Sequence, residues 1–225
     1  MSWRVEPVTL FLDYDGTLHD CLAIYAPAFR RVCRELAADG LTVPEGISEA
    51  RISRWLGLTV QEMWNDFMPE LEQERQARYG GRIGEEMHQL IQGGKARLYP
   101  GTEETLEALR LQGCRMVFLS NCPRSYQEAH RQAFRLDRFF DAYLCAGDYP
   151  GLAKWEIYRT ARDRFPGRHV AVGDRRSDLE IARRFGLSSI GCAYGYGTPE
   201  ELAGATVCIS RVTELPNAVA TLTAL

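Results

Sequence analysis

The sequence contains no apolar stretch approaching the roughly 20 residues that a membrane-spanning helix needs. Its first residues, MSWRVEP, also lack the charged and then apolar layout of a signal peptide. Membrane-embedded and secreted proteins are therefore disfavoured. We predict a cytoplasmic protein that has no membrane partner.

An excess of basic charge is also missing, because the formal net charge is −3. Nucleic-acid-binding domains typically carry clustered Lys and Arg, so we expect no nucleic-acid partner. With 45% hydrophobic and 25% charged residues, the composition is near the globular average, which disfavours disordered and fibrous classes. The 225 residues suffice for one large domain, or for a core domain with a smaller insert.

The sequence has no C-x-x-C pair, and no His lies at metal-ligand spacing from a Cys. Its seven cysteines are an odd number scattered along the chain. This pattern is typical neither of a zinc site nor of a disulfide framework. We interpret the thiols as reduced packing residues.

Short apolar runs recur along the chain, each followed by turn residues and then an amphipathic segment. Runs of this kind are typical of strands buried on both faces of a parallel sheet, with helices between them. We therefore predict a doubly wound α/β fold. The six predicted strands are VTLFLDY (8–14), MVFLSN (116–121), AYLCAG (142–147), HVAVGD (169–174), SSIGCAY (188–194) and ATVCI (205–209).

About a hundred residues separate the first two predicted strands, far more than one crossover helix requires. Residues 20–95 contain helical runs but no convincing strand, which predicts an all-helical cap inserted into a core of residues 1–19 and 96–225. Glycines, among them Gly80 and Gly81, are predicted to separate the cap helices. The last of these helices is predicted to begin at IGEEMHQL, after that glycine pair.

Polar features follow four of the predicted strands. They are Asp13-Tyr14-Asp15-Gly16-Thr17, Ser120-Asn121, Lys154 and Gly173-Asp174-Arg175-Arg176-Ser177-Asp178. Because the carboxyl ends of parallel strands meet at one edge of a sheet, we expect these groups to lie close together. Carboxylates, a hydroxyl group, backbone amides and an ammonium group together suit phosphoryl transfer.

An Asp nucleophile would be repelled by an anionic phosphate unless a divalent cation bridged the two. Mg²⁺ prefers one or two carboxylates together with other oxygen ligands, and Asp13 and Asp174 can provide the carboxylates. Asp15 is then free to protonate the leaving alcohol and later to accept a proton from water. We therefore predict Asp13 and Asp15 as catalytic residues with different tasks.

The remaining strand-end groups are predicted to bind the phosphoryl group. Ser120 and the amide of Asn121 can donate hydrogen bonds to its oxygens, and Lys154 can neutralise its charge. Asp178 lies four residues after Asp174 and so shares its helix face. We expect Asp178 either to support the metal ligands or to hold Lys154.

The motifs DYDGTL, LSN, Lys154 and GDRRSD resemble the four ordered motifs of the haloacid dehalogenase superfamily. The helical stretch after the first motif resembles the cap of that superfamily, and GYGTPEEL (195–202) resembles its phosphoglycolate phosphatase-like branch. Two positions depart from the common pattern. Trp155 follows Lys154 where many relatives have Pro, and Tyr14 replaces a more usual aliphatic residue, with its side chain expected to point away from the site.

The resemblance implies a phosphoaspartyl intermediate on Asp13, and Mg²⁺ bound by Asp13, the Asp15 carbonyl and Asp174. It also implies acid–base work by Asp15, which dehalogenating members lack, so phosphate esters are favoured over haloacids. We assign substrate binding to Thr17 and Asn121.

We predict a Mg²⁺-dependent phosphatase that hydrolyses a small phosphorylated metabolite, a phosphoglycolate-like phosphomonoester. Two alternatives stay open: a phosphomutase of the same superfamily, and a catalytically silent protein that binds a phosphate ligand. Either a monomer or a homodimer is compatible with the sequence.

Other polar residues receive no functional assignment. The four histidines are dispersed along the chain, and surface or packing roles are favoured for His19, His88, His130 and His169. Two interpretations stay open for Arg51 and Arg54, contact with an anionic substrate and a solvated helix face, while Arg175 and Arg176 fit a charged helix start close to the strand ends.

Overall fold

The computed structural model describes residues 7–223. The chain divides into two compact units. One unit comprises the chain up to His19 together with the chain from Leu98 onward, and the other comprises Asp20–Arg97. The inserted unit therefore ends slightly beyond residue 95, where the sequence placed its boundary.

Six strands form one parallel sheet in the order β3-β2-β1-β4-β5-β6. They are β1 (Val8–Leu12), β2 (Arg115–Ser120), β3 (Ala142–Cys145), β4 (Arg168–Gly173), β5 (Ser188–Cys192) and β6 (Val207–Ile209). Most strands end slightly earlier than predicted, because turn residues that were included in the apolar runs lie beyond the sheet. The predicted doubly wound α/β architecture is confirmed.

Ten α-helices occur within residues 7–223. The inserted unit contains α1 (Leu22–Ala38), α2 (Glu49–Ser53), α3 (Val60–Phe67) and α4 (Gln73–Gln92). The sheet unit contains α5 (Thr102–Leu111), α6 (Arg124–Ala133), α7 (Lys154–Ala161), α8 (Arg176–Phe185), α9 (Pro199–Leu202) and α10 (Leu215–Thr223). None of these ten helices has both the length and the apolar character needed to cross a bilayer.

Alternation along β1 explains why helices cover both faces of the sheet. Successive side chains of a strand point to opposite faces. Leu10 and Leu12 pack in a cluster with residues of α5 and α10, whereas Phe11 packs in a second cluster with residues of α7 and α8. Every residue of β1 is buried, as expected for the central strand of a parallel sheet.

The register of β1 places the two acidic motifs side by side. Leu12 pairs with Phe118 of β2 on one side and with Val172 of β4 on the other. The Asp13 amide then donates a hydrogen bond of 2.9 Å to the carbonyl of Val172. β1 and β4 flank the point where the strand order reverses, and doubly wound sheets bind ligands in the crevice at such a point.

The inserted unit has an aromatic core of its own, in which Phe29 packs against Trp55 and Phe67. The predicted break at Gly80 and Gly81 is wrong, because α4 runs through both residues. A Cβ atom at Gly80 would lie 2.6 Å from Cγ1 of Val60, at the start of α3. Gly80 therefore allows two helices to pack closely, which overrides its tendency to interrupt a helix.

Candidate active site

The chain reverses sharply where β1 ends. The amides of Leu18 and His19 both donate to the Tyr14 carbonyl, at 2.8 and 2.9 Å. Gly16 has a positive φ of 82°, and a Cβ atom there would overlap the Asp174 carboxylate. Glycine is therefore required for the conformation of the turn and for the approach of Asp174.

A buried charged cluster lies at this turn. Lys154, the first residue of α7, donates from Nζ to Oδ1 of Asp13 and to Oδ1 of Asp178, both at 2.6 Å. Carboxylate oxygens of Asp13, Asp174 and Asp178 all lie within 4.8 Å of one another. All four side chains are buried, so the sheet edge gathers three carboxylates and one ammonium out of solvent.

The electrostatics of the cluster follow from burial and mutual repulsion. Burial and the charge of Asp178 raise the pKa of Asp13 well above its usual range, although Lys154 opposes this shift. The same two causes raise the pKa of Asp174 to about 7. For Lys154, burial disfavours the charged form, but the charges of Asp13 and Asp178 outweigh burial and raise its pKa. The cluster therefore contains more carboxylate charge than one ammonium can balance.

Asp174 is held from two sides. Its Oδ2 accepts a 2.7 Å hydrogen bond from the Tyr196 amide, and its Oδ1 lies 3.4 Å from the Thr17 hydroxyl. That hydroxyl also lies 3.5 Å from Oδ2 of Asp13 and is fully buried, so it lies between the two carboxylates. Sequence reasoning missed the Tyr196 amide, although the GYG loop that contains it was noted.

Asp178 contacts Lys154 and the start of its own helix. Its Oδ2 accepts a 2.9 Å hydrogen bond from the Arg175 amide, while its Oδ1 accepts the bond from Lys154. A Cβ atom at Gly173 would overlap the Asp178 carboxylate, so that glycine is needed for close packing. Of the two tasks expected for Asp178, holding Lys154 is the one that its contacts show.

Asp15 lies apart from these contacts and has different partners. Its Oδ1 accepts a 2.7 Å hydrogen bond from Nδ1 of His19 and a 2.9 Å hydrogen bond from the Tyr126 hydroxyl. Burial acts to raise the pKa of Asp15, but the hydrogen bond and charge of His19, together with other neighbours, outweigh burial and lower it. The Asp15 side chain retains 28% of its exposure and so stays accessible.

Four aromatic rings behind Asp15 form a group that we call the aromatic clamp, comprising Tyr14, His19, Tyr126 and His130. His19 and His130 are fully buried, which agrees with a packing role and not with a surface role. Burial, and secondly the nearby His19, lower the pKa of His130 to about 3. Sequence reasoning missed that these rings meet at Asp15. The available signal was the i, i+4 spacing of Asp15 with His19 and of Tyr126 with His130.

Ser120 and Asn121 lie at the carboxyl end of β2, where the sequence placed them. Ser120 is the buried last residue of β2, and Asn121 is exposed in the bend that follows. Within residues 7–223, no side-chain hydrogen bond joins either residue to the charged cluster. Their assignment to phosphate binding stays a prediction.

Two of the four unassigned arginines, Arg51 and Arg175, have partners within the protein. Arg51 donates to the Asp66 carbonyl at 3.4 Å and lies over the Trp55 ring, within the inserted unit. Arg175 pairs with Glu201 at 3.2 Å. Both side chains therefore have partners within the protein, although Nε of Arg51 is buried without a hydrogen-bond partner among the described residues.

The sequence model of the haloacid dehalogenase-like hydrolase family matches residues 8–186 of this chain. The chain therefore belongs to this family. A phosphoglycolate phosphatase of Pseudomonas putida is 27% identical over 209 residues, which cover 84% of this chain and 71% of that protein. A phosphoglycolate phosphatase of Pseudomonas fluorescens is 25% identical over 211 residues, which cover 88% of this chain and 73% of that protein.

Solved structures share the fold. A predicted phosphoglycolate phosphatase from Haemophilus somnus has a TM-score of 0.80 at 20% identity, covering 97% of this chain and 100% of that chain. CbbY from Rhodobacter sphaeroides, in complex with phosphate, has a TM-score of 0.72 at 25% identity, covering 93% of this chain and 96% of that chain. The family model and the Pseudomonas relatives confirm the predicted family and class of enzyme, and the solved structures confirm the fold class.

Proposed function

We propose that this protein is a Mg²⁺-dependent phosphatase that hydrolyses a small phosphomonoester through a phosphoaspartyl intermediate on Asp13. The observation that carries the proposal is the buried cluster of Asp13, Lys154, Asp174 and Asp178 at the reversal point of the sheet. The names of the Pseudomonas relatives support a phosphoglycolate-like substrate. The same cluster argues against a catalytically silent protein, because none of its charged groups is missing.

The cluster fits a divalent cation. Three buried carboxylates face a single ammonium, which leaves two negative charges unbalanced when all three are ionised. Buried charge without a partner is strongly disfavoured, and a hard cation with oxygen ligands is the natural counter-charge. Asp13, Asp174 and the backbone carbonyl of Asp15 would hold Mg²⁺. When bound, the ion would lower the repulsion between Asp13 and an anionic phosphate.

The residues of the chain then divide the chemistry between two steps. In the first, a carboxylate oxygen of Asp13 attacks phosphorus, the bond to the ester oxygen breaks, and Asp15 gives that oxygen its proton. In the second, Asp15 takes a proton from water, whose oxygen attacks phosphorus and releases inorganic phosphate from Asp13. Lys154, fixed by Asp178, orients Asp13 and offsets part of the charge on the phosphoryl group.

Loss of the nucleophile tests the proposal most directly. We expect the wild-type protein with Mg²⁺ to hydrolyse 4-nitrophenyl phosphate and 2-phosphoglycolate, and Asp13→Asn to reduce kcat by roughly 10⁴-fold or more. Asp137→Asn is the matched control, because Asp137 is an exposed aspartate of the same unit that pairs with Arg131. Substantial activity in Asp13→Asn would contradict the proposal.

Two further measurements complete the test. Chelation of divalent cations should abolish hydrolysis and added Mg²⁺ should restore it, so full activity in chelator would overturn the metal requirement. Quenched Asp15→Asn protein, incubated with 4-nitrophenyl phosphate, should gain the mass of one phosphoryl group that Asp13→Asn does not gain. Product analysis with a sugar phosphate such as glucose 1-phosphate separates the phosphatase from a phosphomutase, because the first releases inorganic phosphate and the second forms an isomeric sugar phosphate.

A further inference from the structure

The two side-chain donors that contact the Asp15 carboxylate share one of its oxygens. His19 comes from the turn after β1 and Tyr126 from α6, yet both donate to Oδ1, at 2.7 and 2.9 Å. No side-chain hydrogen bond in residues 7–223 reaches Oδ2. A carboxylate oxygen has two lone pairs, so these two donors use the full capacity of Oδ1.

We propose that His19 and Tyr126 are positioning residues that fix the Asp15 carboxyl group with Oδ2 free for the substrate. This inference rests on the proposed function, in which Asp15 exchanges protons with the leaving alcohol and with water. Proton transfer requires the carboxyl oxygen to lie within hydrogen-bonding distance of the reacting oxygen. Two donors on Oδ1 restrict rotation of the carboxyl group and keep the other oxygen in one place.

The rest of the aromatic clamp holds the two donors in turn. The Tyr14 ring stacks on His19 at 5.2 Å with an interplanar angle of 8°. The His130 ring lies 4.4 Å from that of His19 and 4.3 Å from that of Tyr126, and its Nδ1 is 2.9 Å from the Tyr14 hydroxyl. Neither donor can turn away from Asp15 without disturbing a buried neighbour.

The clamp contains polar atoms that packing alone does not require. His19 must carry its proton on Nδ1 to donate to the carboxylate, and its Nε2 is buried without a hydrogen-bond partner among the described residues. Nε2 of His130 is in the same condition. Buried unpartnered polar atoms cost free energy, and an apolar side chain would avoid that cost. The contact of His19 with Asp15 supplies a reason to keep the imidazole.

The test compares two esters that differ in how much the leaving group needs a proton. Phenyl phosphate has a poor leaving group and 4-nitrophenyl phosphate a good one. For Tyr126→Phe we expect kcat/KM to fall about 10- to 100-fold with phenyl phosphate, and about 3-fold or less with 4-nitrophenyl phosphate. Tyr143→Phe is the matched control, because Tyr143 donates to exposed Asp137 in the same unit. We expect it to leave both values unchanged.

A second comparison separates positioning from a general loss of structure. In an Asp15→Asn background, Tyr126→Phe should cause no further loss, because the group it positions is already absent. His19→Asn keeps an N–H near the place of Nδ1 and should retain more activity with phenyl phosphate than His19→Leu. Thermal melting of each variant checks that it is folded.

The outcomes distinguish the two proposals. Equal losses with the two esters, an undiminished effect of Tyr126→Phe in the Asp15→Asn background, or equal activity of His19→Asn and His19→Leu would each overturn the positioning roles. In all three cases an active, Asp13-dependent wild-type protein would leave the proposed function intact. A wild-type protein without phosphatase activity would overturn the proposed function, and the positioning roles with it.

Discussion

The two units of the chain use charge in opposite ways. In the sheet unit, the ion pairs of Lys154 with Asp13 and Asp178 have side-chain exposures of 9% or less. In the helical unit, Arg30 pairs with Glu49 at exposures of 43% and 63%. Burying charges costs more than their attraction returns unless the geometry is excellent. Buried charge in the sheet unit therefore indicates chemistry, whereas the exposed pair indicates solubility and modest support for a helix.

The two units also differ in what their aromatic rings surround. The helical unit stabilises itself with rings such as Phe29, Trp64 and Phe67, and the indole N–H of Trp55 is satisfied by Asp66 at 2.7 Å. In the sheet unit, aromatic rings also surround a polar group, the Asp15 carboxylate. The comparison teaches that an ion pair must be weighed by its burial and by its position relative to the strand ends.

Removing one cation from each unit should show most clearly how buried and exposed ion pairs differ in their effect on stability. Lys154→Met leaves two buried carboxylates without their ammonium partner, and we expect it to lower the free energy of unfolding by about 3 kcal/mol or more at pH 7. Arg30→Met removes an exposed cation, and its effect should be much smaller. Urea unfolding in the presence of chelator measures both, so that no added cation compensates for the lost lysine.

The outcome bears on the interpretation of the cluster. Equal losses for Lys154→Met and Arg30→Met would show that removing a cation from the buried pairs costs no more stability than removing one from the exposed pair. Hydrolysis of 4-nitrophenyl phosphate, measured with Mg²⁺, should be lost only in the Lys154 variant.

Acidification should destabilise the sheet unit through its buried histidine, His130. The pKa of His130 is about 3 in the folded protein, against an ordinary value of 6.5. The unfolded chain therefore takes up a proton that the folded protein does not, so this contribution to stability is present above pH 6.5 and lost as the pH falls. Between pH 7 and pH 5 we expect His130 to account for about 2 kcal/mol of lost stability.

His130→Gln should reduce that loss, as measured by urea unfolding at the two pH values. Tyr126→Phe alters the same aromatic clamp without removing a titrating histidine, and should keep the wild-type difference. An equal loss in wild type and His130→Gln would show that another group causes the pH dependence.

Substitutions at two adjacent glycines of the helical unit should change stability by the smallest amounts, and in opposite directions. Gly81 has open space around it, and Gly81→Ala should stabilise α4 by about 0.5–1 kcal/mol. Gly80→Ala would place its Cβ 2.6 Å from Cγ1 of Val60, and we expect a loss of roughly 1 kcal/mol instead. Thermal or urea unfolding of the pair decides the matter. The same sign for both changes would mean that α3 and α4 adjust freely at this contact.

The sequence predicted those parts of the fold that depend on local pattern. Asp13 and Asp174 were found because each follows a short apolar run, and parallel strands bring such positions to one edge. The contact of His19 and Tyr126 with the same carboxylate was not found, because the i, i+4 spacing within each segment does not show that two segments far apart in sequence come together. Gly80 misled for a related reason: helix propensity is local, and the packing of α4 against Val60 overrides it.

The ends of the inserted unit lie together, and this has a consequence for how the sheet forms. The Asp20 amide donates to the Arg97 carbonyl at 3.0 Å, and His19 and Leu98 are joined by an antiparallel bridge. Pairing β1 with β2 in an unfolded chain must close a loop of about a hundred residues, with the corresponding entropy cost. Once Asp20–Arg97 has folded, its joined ends make the connection as short as a turn. We therefore expect early folding of the helical unit to speed the pairing of β1 with β2.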